Sequence, residues 1–374
     1  MRDKLWYVVV LSAACGWGAK GGLATAADPL FVEQTLCQRG DQGYHTYRIP
    51  SLLMTGKGTI LFVCEGRKNS GSDHGDIDLL LRRSENGGQT WSPQTVIADD
   101  GEHTMGNPCL LQDRSSGVIW LSFSRDNKQV LLMRSSDDGL SWSKPRDITR
   151  QVLPAQWHWV GPGPGHGIQL QKGRLVMPCW AGVEANVPFG ATQLSYVFFS
   201  DDGGQTWHAG AAAGVDRSDE CEVVQRVDGS LYMTARSRHQ KKRRAYAVSH
   251  DGGHSWLPAQ YDDRLPEPSC QGSILRLSQQ GSGQKNRVVL AHPSNPGSRT
   301  QMTVRLSYDE CRSWPVAKVV YAGSSAYSDL GRNQDGEILL AFEKDGYAQI
   351  SLIRVNLEWL TDGGDQVEPI DSNR

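Results

Sequence analysis

The stretch Ser84-Glu85-Asn86-Gly87-Gly88-Gln89-Thr90-Trp91 follows the pattern Ser-x-Asp-x-Gly-x-Thr-Trp, with Asn in the acidic position. An Asp or Asn side chain can bond the backbone of its own turn, and a glycine supplies the positive φ that such a turn needs. The tryptophan then anchors the turn between neighbouring sheets. We therefore interpret this box as a structural turn and not as a catalytic motif.

The box returns along the chain at intervals of roughly fifty residues, the period of stacked supersecondary units such as propeller blades. The further copies are Ser135–Trp142, Ser200–Trp207, Ser249–Trp256 and a degenerate Ser307–Trp314, which has Cys311 where glycine is expected. Each box follows an apolar or alternating stretch that predicts a strand entering a hairpin. These stretches are Ile77–Leu81, Val130–Met133, Ser195–Phe199, Ala245–Val248 and Met302–Leu306.

Two more strand signals precede the box strand in each unit, as in Tyr47–Met54 and Thr59–Glu65. Units that begin near residues 47, 107, 167, 220, 270 and 327 predict an all-β fold, a six-bladed β-propeller of four-stranded antiparallel blades. The last unit lacks a box and contains the strand signals Leu330–Arg332, Glu337–Glu343 and Ala348–Asn356. The segment Leu30–Thr35 could complete that unit and close the ring. We expect one domain over residues 30–362, followed by a tail at 363–374.

The first 26 residues have the features of a signal peptide. A charged start leads into the apolar run Leu5–Ala14, and Ala24-Thr25-Ala26 resembles a cleavage site. The run is too short and too broken for a stable membrane span. Cys15 follows a poor lipoprotein signal, so we do not expect lipid attachment. The sequence thus predicts a secreted or periplasmic protein.

Charge and cysteine content narrow the function classes further. A net charge of -2 argues against nucleic acid as a partner, because such proteins usually carry a basic excess. Seven cysteines remain after the signal, and we interpret them as buried small hydrophobes with room for one disulfide. The absence of a Cys-x-x-Cys pair argues against a structural zinc site. We expect a monomer by default.

The charged residues concentrate at one predicted rim. In an up-and-down blade, the start of strand one, the end of strand two and the loop between strands two and three share one end, opposite the boxes. The residues that fall there are Arg48, Arg67, Asp73, Glu220, Arg236, Arg299, Tyr327 and Glu343. Their convergence predicts a polar site on that rim.

At these positions the chain resembles the sialidase (neuraminidase) superfamily, specifically bacterial-type exo-α-sialidases with Asp-box repeats. The resemblance covers nearly the whole mature length. It is carried by Tyr47-Arg48-Ile49-Pro50, the boxes, Glu220 sixteen positions before Arg236, Arg299 eight before the fifth box, and Tyr327 with Glu343. It implies retaining hydrolysis of terminal α-linked sialic acid from glycoproteins, glycolipids and oligosaccharides, without a metal or organic cofactor.

The resemblance also implies roles for single residues. Arg48, Arg236 and Arg299 would bind the sialic acid carboxylate, which suits guanidinium because its bonds are bidentate and its charge is permanent. Glu343 would hold Arg48. Tyr327 would be the nucleophile and Glu220 its base, through a tyrosyl-enzyme intermediate.

Further roles follow in the same way. Asp73 would be the acid/base residue, with Asp76 and Asp78 as nearby competitors in the loop. Arg67 would contact the ring substituents of the sugar. Met105 and Asn107 would contribute to the acyl-group pocket.

Several alternatives stay open from the sequence. The chain could be a trans-sialidase, a hydrolase of a related nonulosonic acid, or a non-catalytic glycan-binding propeller. The last has no need for Tyr327, Glu220 and Asp73 together. The basic run Lys241–Arg244 is either a solvated hairpin tip or a device that steers anionic glycans.

Overall fold

The computed structural model of the protein describes residues 27–183, 192–214, 217–238, 241–281 and 284–366. Within these ranges the fold is all-β; its helices are the short Thr149–Val152 and Leu357–Leu360 and the 3-10 turn Asp41–Gly43. None of the described helices has the length and apolar character needed to cross a bilayer. The expected signal peptide, residues 1–26, lies outside the described residues.

The strands form successive groups of mostly antiparallel neighbours. The first group contains Thr46–Met54, Ile60–Arg67, Ile77–Ser84 and Thr95–Ala98. The second contains Met105–Gln112, Ile119–Arg125, Gln129–Ser135 and Arg146–Asp147, and Gly165–His166 pairs in parallel with its first strand. The third contains Trp159–Pro162, Ile168–Gln169, Leu175–Gly182, Gln193–Ser200 and His208–Ala209. The fourth contains Ser218–Gln225, Leu231–Ser237, Arg243–Ser249 and Gln260–Pro266.

The last two groups are joined in one seven-stranded sheet by the 17-residue strand Val316–Arg332. Its first part pairs with the fifth group, which also contains Ser273–Ser278, Arg287–Pro293 and Thr300–Ser307. Its second part pairs with the sixth, which also contains Ile338–Lys344, Gln349–Val355 and Phe31–Gln38. The predicted strand Leu330–Arg332 is thus only the end of a much longer one.

The N-terminal strand completes the sixth group, as expected from the sequence. Phe31–Gln38 pairs antiparallel with Gln349–Val355. The expected tail from residue 363 needs correction at its start. Asp365 is buried and pairs with Arg287 at 2.7 Å and Lys285 at 2.9 Å, so the folded unit extends at least to this residue.

The groups pack on one another through strands that are buried on both faces. Every residue of Ile60–Arg67 is buried. Leu61 and Val63 of this strand share a hydrophobic cluster with Leu110 and Leu121 of the second group. Burial of this kind removes apolar area from water on both sides of each sheet, which stabilises the stack.

In each of the first five groups the box follows the last strand but one, as predicted; in the third group this strand is Gln193–Ser200. In the second box, Ser135 Oγ accepts the Gly139 N–H at 2.9 Å and Asp137 Oδ1 accepts the Ser141 N–H at 2.9 Å. The fifth box closes in the same way without glycine. Cys311 has a φ of 68°, and its N–H donates to Ser307 Oγ at 3.0 Å.

The seven cysteines in the described ranges are all free and buried. The Sγ atoms of Cys37 and Cys64 lie 4.0 Å apart, in contact but unbonded. The structure therefore agrees with the interpretation of these thiols as small core residues, and it forms none of the disulfides for which the sequence left room.

Candidate active site

A polar pocket of about 210 Å³ lies at the ends of the strands opposite the boxes. Its walls come from the first, second, third, fourth, fifth and sixth groups. The structure brings together eight of the ten residues singled out from the sequence: Arg48, Arg67, Asp73, Asn107, Glu220, Arg236, Arg299 and Tyr327. The predicted rim is therefore a real pocket.

Arg48 lies at one wall of this pocket, near the start of the first group. Its Nε donates to Glu343 Oε1 at 2.6 Å. Its guanidinium carbon lies 4.2 Å from the ring centroid of Tyr347 and 5.1 Å from that of Tyr327. Burial disfavours the charged form, but the Glu343 carboxylate outweighs it and raises the pKa of Arg48. Arg48 is thus a fixed, permanent cation.

Glu343 lies behind the pocket and holds three groups at once. Its Oε1 also accepts the Ile49 N–H at 2.9 Å, and its Oε2 accepts the Tyr327 N–H at 3.1 Å. Ile49 has a φ of 58°, a costly conformation for a β-branched residue. Glu343 thus contacts Arg48, and the same carboxylate also binds the backbone beside Tyr327.

The other two arginines approach Tyr327 from different sides. Arg236 Nη1 donates to Glu220 Oε2 at 2.6 Å and to the Tyr327 hydroxyl at 2.8 Å. Arg299 donates to the Tyr347 hydroxyl at 3.1 Å and to the Ser269 carbonyl at 3.2 Å. Its guanidinium carbon lies 5.4 Å from the Tyr327 ring centroid. Three guanidinium groups therefore surround one phenol.

The Tyr327 hydroxyl donates a short hydrogen bond to Glu220 Oε1. Burial raises the pKa of Tyr327 well above its usual range; the Arg236 guanidinium opposes this and the Glu220 carboxylate adds to it. The phenol is thus neutral near neutral pH, and its proton points at a carboxylate. A neutral phenol hydrogen-bonded to a carboxylate is an arrangement suited to covalent catalysis.

Asp73 lies at the mouth of the pocket with 62% of its side chain exposed. Its Oδ1 accepts from Arg67 Nη1 at 2.7 Å and from Arg48 Nη1 at 3.4 Å. Desolvation acts to raise its pKa, but the two guanidinium groups prevail and lower it. The competitors Asp76 and Asp78 instead pair with Lys68 at 2.8 and 3.1 Å. Asp73 is therefore the loop carboxylate that faces the pocket.

The wall beside Asp73 is organised by Glu65. Its Oε2 accepts from Arg67 at 2.7 Å, and its Oε1 accepts the Asn107 N–H at 2.9 Å. Asn107 lines the pocket, as expected. Met105 does not fulfil the expectation: its side chain is 2% exposed and belongs to a hydrophobic cluster between the first two groups. Residues two positions apart on a regular strand share a face, but here the pairing register shifts between Gly106 and Cys109 and Asn107 has a φ of 55°, so Met105 and Asn107 lie on different sides.

Several pocket residues were missed in the sequence. Among them are Glu65, Trp180, Asp219, Arg238 and Tyr347. Tyr347 could have been found from its position in the turn after the second strand of the sixth group, because the corresponding position in the first group identified Asp73. The signal for Glu65 was its position near the end of a second strand. For Trp180 the sequence offered nothing beyond an apolar strand.

The basic run Lys241–Arg244 is not a uniform surface feature. Arg244 is fully buried, donating to Thr234 Oγ1 at 2.8 Å and to the Cys270 carbonyl at 2.9 Å. Arg243 pairs with Asp263. Neither a solvated tip nor a steering patch therefore describes Arg244, which is a core residue beneath the loop of Cys270.

Among the described residues, two clusters are compact enough to be considered for a metal ion. One comprises Asp76, Asp78 and Asp99, and Lys68 Nζ lies within 3.7 Å of all three, so an ammonium already supplies the counter-charge. The other comprises His166, Glu222 and Asp329, whose carboxylate oxygens already accept protein hydrogen bonds. Neither cluster includes a residue of the pocket.

Known proteins resemble this chain along most of its length. A family model described as a BNR repeat-like domain matches residues 58–340. The sialidase of Micromonospora viridifaciens is 34% identical over 94% of this chain, which spans 58% of that protein. The exo-alpha-sialidase of Aspergillus fumigatus is 30% identical over 86% of each chain.

A solved structure agrees with the sequence relatives. The Hadza microbial sialidase Hz136 superposes with a TM-score of 0.80 at 25% identity, over 88% of this chain and 69% of that one. The family match, the two relatives and the residues of the pocket all indicate the same family. The chain belongs to the sialidase superfamily of glycoside hydrolases.

Proposed function

We propose that this protein is an exo-α-sialidase that removes terminal α-linked sialic acid from glycoproteins, glycolipids and oligosaccharides with retention of configuration. One observation carries the proposal: the Tyr327 phenol donates a hydrogen bond to Glu220 inside a ring of three guanidinium groups. This combination suits a substrate with a carboxylate on its reacting carbon. The relatives named sialidase support it.

The three arginines bind the substrate carboxylate. Arg48 and Arg299 are held apart by Tyr347, which contacts both. Their remaining N–H groups can donate charge-assisted, bidentate bonds to one carboxylate. A Tyr nucleophile fits the same substrate, because an anionic Asp or Glu would approach that carboxylate against like charge.

In the first half-reaction, Tyr327 Oη attacks the anomeric carbon while the bond to the leaving oxygen breaks. Glu220 takes the phenol proton, and Asp73 gives a proton to the leaving oxygen. In the free pocket Arg67 and Arg48 lower the pKa of Asp73. A substrate carboxylate on Arg48 offsets part of that positive charge, which favours the protonated acid that this step needs.

In the second half-reaction, water attacks the anomeric carbon and the bond to Tyr327 breaks. Asp73, now a carboxylate, takes a proton from the water, and Glu220 returns its proton to the phenolate. Each half-reaction inverts the anomeric carbon, so the product retains its configuration. All three side chains end in their starting protonation states.

Substitution of Tyr327 by Phe tests the nucleophile. We expect turnover of an aryl sialoside to fall by about 1,000-fold or more while the melting temperature stays close to wild type. Tyr347→Phe is the matched control, because it removes a phenol from the same pocket and should keep covalent chemistry. Wild-type-like turnover by Tyr327→Phe would contradict the proposal.

A fluorinated sialoside that forms a slow covalent intermediate gives a second readout. We expect a peptide containing Tyr327 to gain the mass of the sugar. Labelling of Asp73 or Glu220 instead would assign a different nucleophile. The same assay with an added galactoside acceptor distinguishes hydrolysis from transfer, because a trans-sialidase would form a sialylated galactoside.

We further propose that the six strand groups are the blades of one closed β-propeller and that residues 1–26 direct export. A cavity of about 400 Å³ at the box end supports the ring, since residues from every group line it, including Leu52, Gln112, Ile168, Val224, Leu275 and Leu330. Leu52 N–H also donates to Asp329 Oδ2 at 2.6 Å, joining the first group to the last. A crystal structure with five or seven blades would contradict the first proposal. The second would be contradicted by a secreted protein that keeps residues 1–26.

A further inference from the structure

A second polar layer lies directly beneath the pocket. On Ser218–Gln225, Glu222 follows Glu220 by two positions, and on Val316–Arg332, Asp329 follows Tyr327 by two. Ser273 Oγ lies 2.8 Å from Glu222 Oε2 and 2.9 Å from Asp329 Oδ1. The pair Glu220 and Tyr327 is thus repeated one step deeper by Glu222 and Asp329.

His166 and Gln271 complete this layer, which we call the inner cluster: His166, Glu222, Gln271, Ser273 and Asp329. His166 Nδ1 lies 2.7 Å from Asp329 Oδ1, and Gln271 Nε2 donates to Glu222 Oε1 at 3.3 Å. All five residues are at most 6% exposed. A buried polar group is costly unless it is hydrogen-bonded, and here the carboxylates are well supplied with partners.

The inner cluster separates the pocket from the cavity at the box end. Along the same strands, Ile49 and Tyr327 line the pocket, whereas Leu52 and Leu330 line the cavity. Glu222 and Asp329 lie between these positions on their strands, and His166 itself lines the cavity. The cluster is therefore the layer between the pocket and the cavity.

Hydrogen bonds connect this layer to the strands that carry the catalytic residues. Gln271 Oε1 accepts the N–H of Ser328, the residue after Tyr327, at 2.9 Å. Asp329 Oδ2 accepts the Leu52 N–H on the strand of Arg48. Glu222 is itself on the strand of Glu220. Movement in the cluster would therefore displace the nucleophile and its base.

The cluster also carries a defined charge. Burial acts against protonation of His166, but the Asp329 and Glu222 carboxylates outweigh it and raise its pKa to about 9. Burial raises the pKa of Glu222 well above its usual range, although the His166 cation opposes this. Near neutral pH an imidazolium therefore offsets carboxylate charge beneath Glu220.

We propose that His166 is a positioning residue that acts through the inner cluster, keeping the charge beneath Glu220 balanced and the Glu220–Tyr327 pair in place. The inference rests on the proposed function. Without the imidazolium, the Asp329 carboxylate would leave uncompensated negative charge beneath the Glu220–Tyr327 pair. Added negative charge favours the protonated form of the site as a whole, so the acid limb of the pH profile would move to higher pH.

Other charged groups around Glu220 do not depend on the cluster. Arg236 contacts it from the neighbouring strand, and Arg299 faces it across Tyr327. Asp219, beside it in sequence, pairs with Arg238. Burial raises the pKa of Cys270 to about 11, so that thiol stays neutral. These groups remain the same when His166 is changed.

Substitution of His166 by Gln removes the imidazolium and leaves an amide that can still donate to Asp329. We expect the acid limb of kcat/KM for an aryl sialoside to move up by about one pH unit. We also expect kcat to fall with KM within a few-fold of wild type, because the arginines are untouched. An unchanged acid limb and kcat, with only a lower melting temperature, would overturn the proposal.

Two matched variants sharpen the test. Glu222→Gln imitates the protonated carboxyl and should keep the wild-type profile. The double variant His166→Gln with Asp329→Asn removes both charges and should return the acid limb towards wild type. Failure of this rescue, or a shift in Glu222→Gln as large as in His166→Gln, would count against a charge role.

A measurement on the wild-type chain covers the case in which these variants fail to fold. Ring signals of His166 in an NMR titration should stay those of an imidazolium between about pH 5 and 8. Titration of His166 near its ordinary pKa would overturn the proposal. Absence of sialoside turnover by the wild-type chain would instead overturn the proposed function, and the titration would still be readable.

Discussion

The box turns and the pocket both use carboxylates as hydrogen-bond acceptors, but their partners lie at very different distances along the chain. Asp137 of the second box bonds Ser135 and Ser141, two and four positions away. Glu343 of the pocket bonds Arg48 and Ile49, 295 and 294 positions away. A box can form from its own residues, whereas the pocket exists only after the strand groups have packed together. Substitutions in the boxes and substitutions in the pocket should therefore differ in their effects on stability and activity.

The largest effect is expected for Asp73→Asn at the pocket mouth. Loss of a general acid should lower turnover of a natural sialoside by about 100 to 10,000-fold, and less for an aryl sialoside whose leaving group needs little protonation. Stability should hardly change, because the side chain is mostly exposed. Asp76→Asn, which alters a carboxylate paired with Lys68 in the same loop, should retain most activity. Equal losses on both substrates would assign Asp73 another role.

Glu343→Ala should combine a loss of activity with a loss of stability. It leaves the Arg48 guanidinium buried without its carboxylate and removes the acceptor for the Ile49 and Tyr327 N–H groups. Breaking a buried ion pair in this way costs about 3–5 kcal/mol. Denaturant unfolding monitored by tryptophan fluorescence measures this change. A loss of unfolding free energy smaller than that of a box variant would contradict the expected difference between pocket and boxes.

Arg299→Ala should act mainly on substrate binding. A hydrogen bond to a charged group contributes about 1.5–3 kcal/mol, so affinity for a sialic-acid-like inhibitor should fall by roughly 10 to 150-fold. Arg299→Lys keeps the charge but loses the fork, and should recover only part of the affinity. Calorimetric titration of both variants provides the measurement. Unchanged affinity in Arg299→Ala would show that this residue does not bind the substrate carboxylate.

Asp137→Ala in the second box should be milder. It removes a turn acceptor whose side-chain and backbone bonds are all local, so the expected loss of stability is small. Activity at 25 °C should match wild type, because the box lies at the end of the sheet opposite the pocket. The midpoint of urea unfolding and kcat/KM together test this. A selective loss of activity would show that the two ends are coupled.

The smallest expected effect is a change in the free energy of unfolding at acid pH. Hydrogen bonds from Ser141 lower the pKa of Asp137 from 3.8 to about 2. A carboxyl whose pKa is lower in the folded state stabilises the fold above its unfolded value and loses that contribution as pH falls through the folded one. The difference in unfolding free energy between wild type and Asp137→Asn should therefore shrink between about pH 4 and 2. A constant difference across that window would contradict the assignment.

The same contrast explains what the sequence could predict. The boxes and their preceding strands were predictable because Ser, Asp, Gly and Trp at fixed offsets specify a turn by local bonds. The rim residues could be located, since strand starts and second-strand ends follow from the order of the strands. Their roles came only from the resemblance to sialidases, because Glu220 and Tyr327 are 107 positions apart and meet through packing.

Packing also explains the residues whose positions the sequence did not predict. Met105 and Asn107 belong to one short motif, yet the strand directs one side chain into the core and the other into the pocket. Arg244 looks like its neighbours in the basic run, but it is buried where Thr234 and the Cys270 carbonyl accept its hydrogen bonds. The inner cluster combines residues from four groups, and no local pattern of charge or spacing indicates that His166 and Asp329 are in contact.

The pairing of Phe31–Gln38 with Gln349–Val355 has a consequence for biosynthesis. The first described strand to leave the ribosome has as its partner the last described strand. The sixth group therefore stays incomplete until residues 349–355 have been synthesised. Glu343 on its central strand also reaches Arg48 only after some 295 further residues have followed Arg48. A nascent chain can form its early box turns one by one, but it holds no working pocket before Glu343 has emerged.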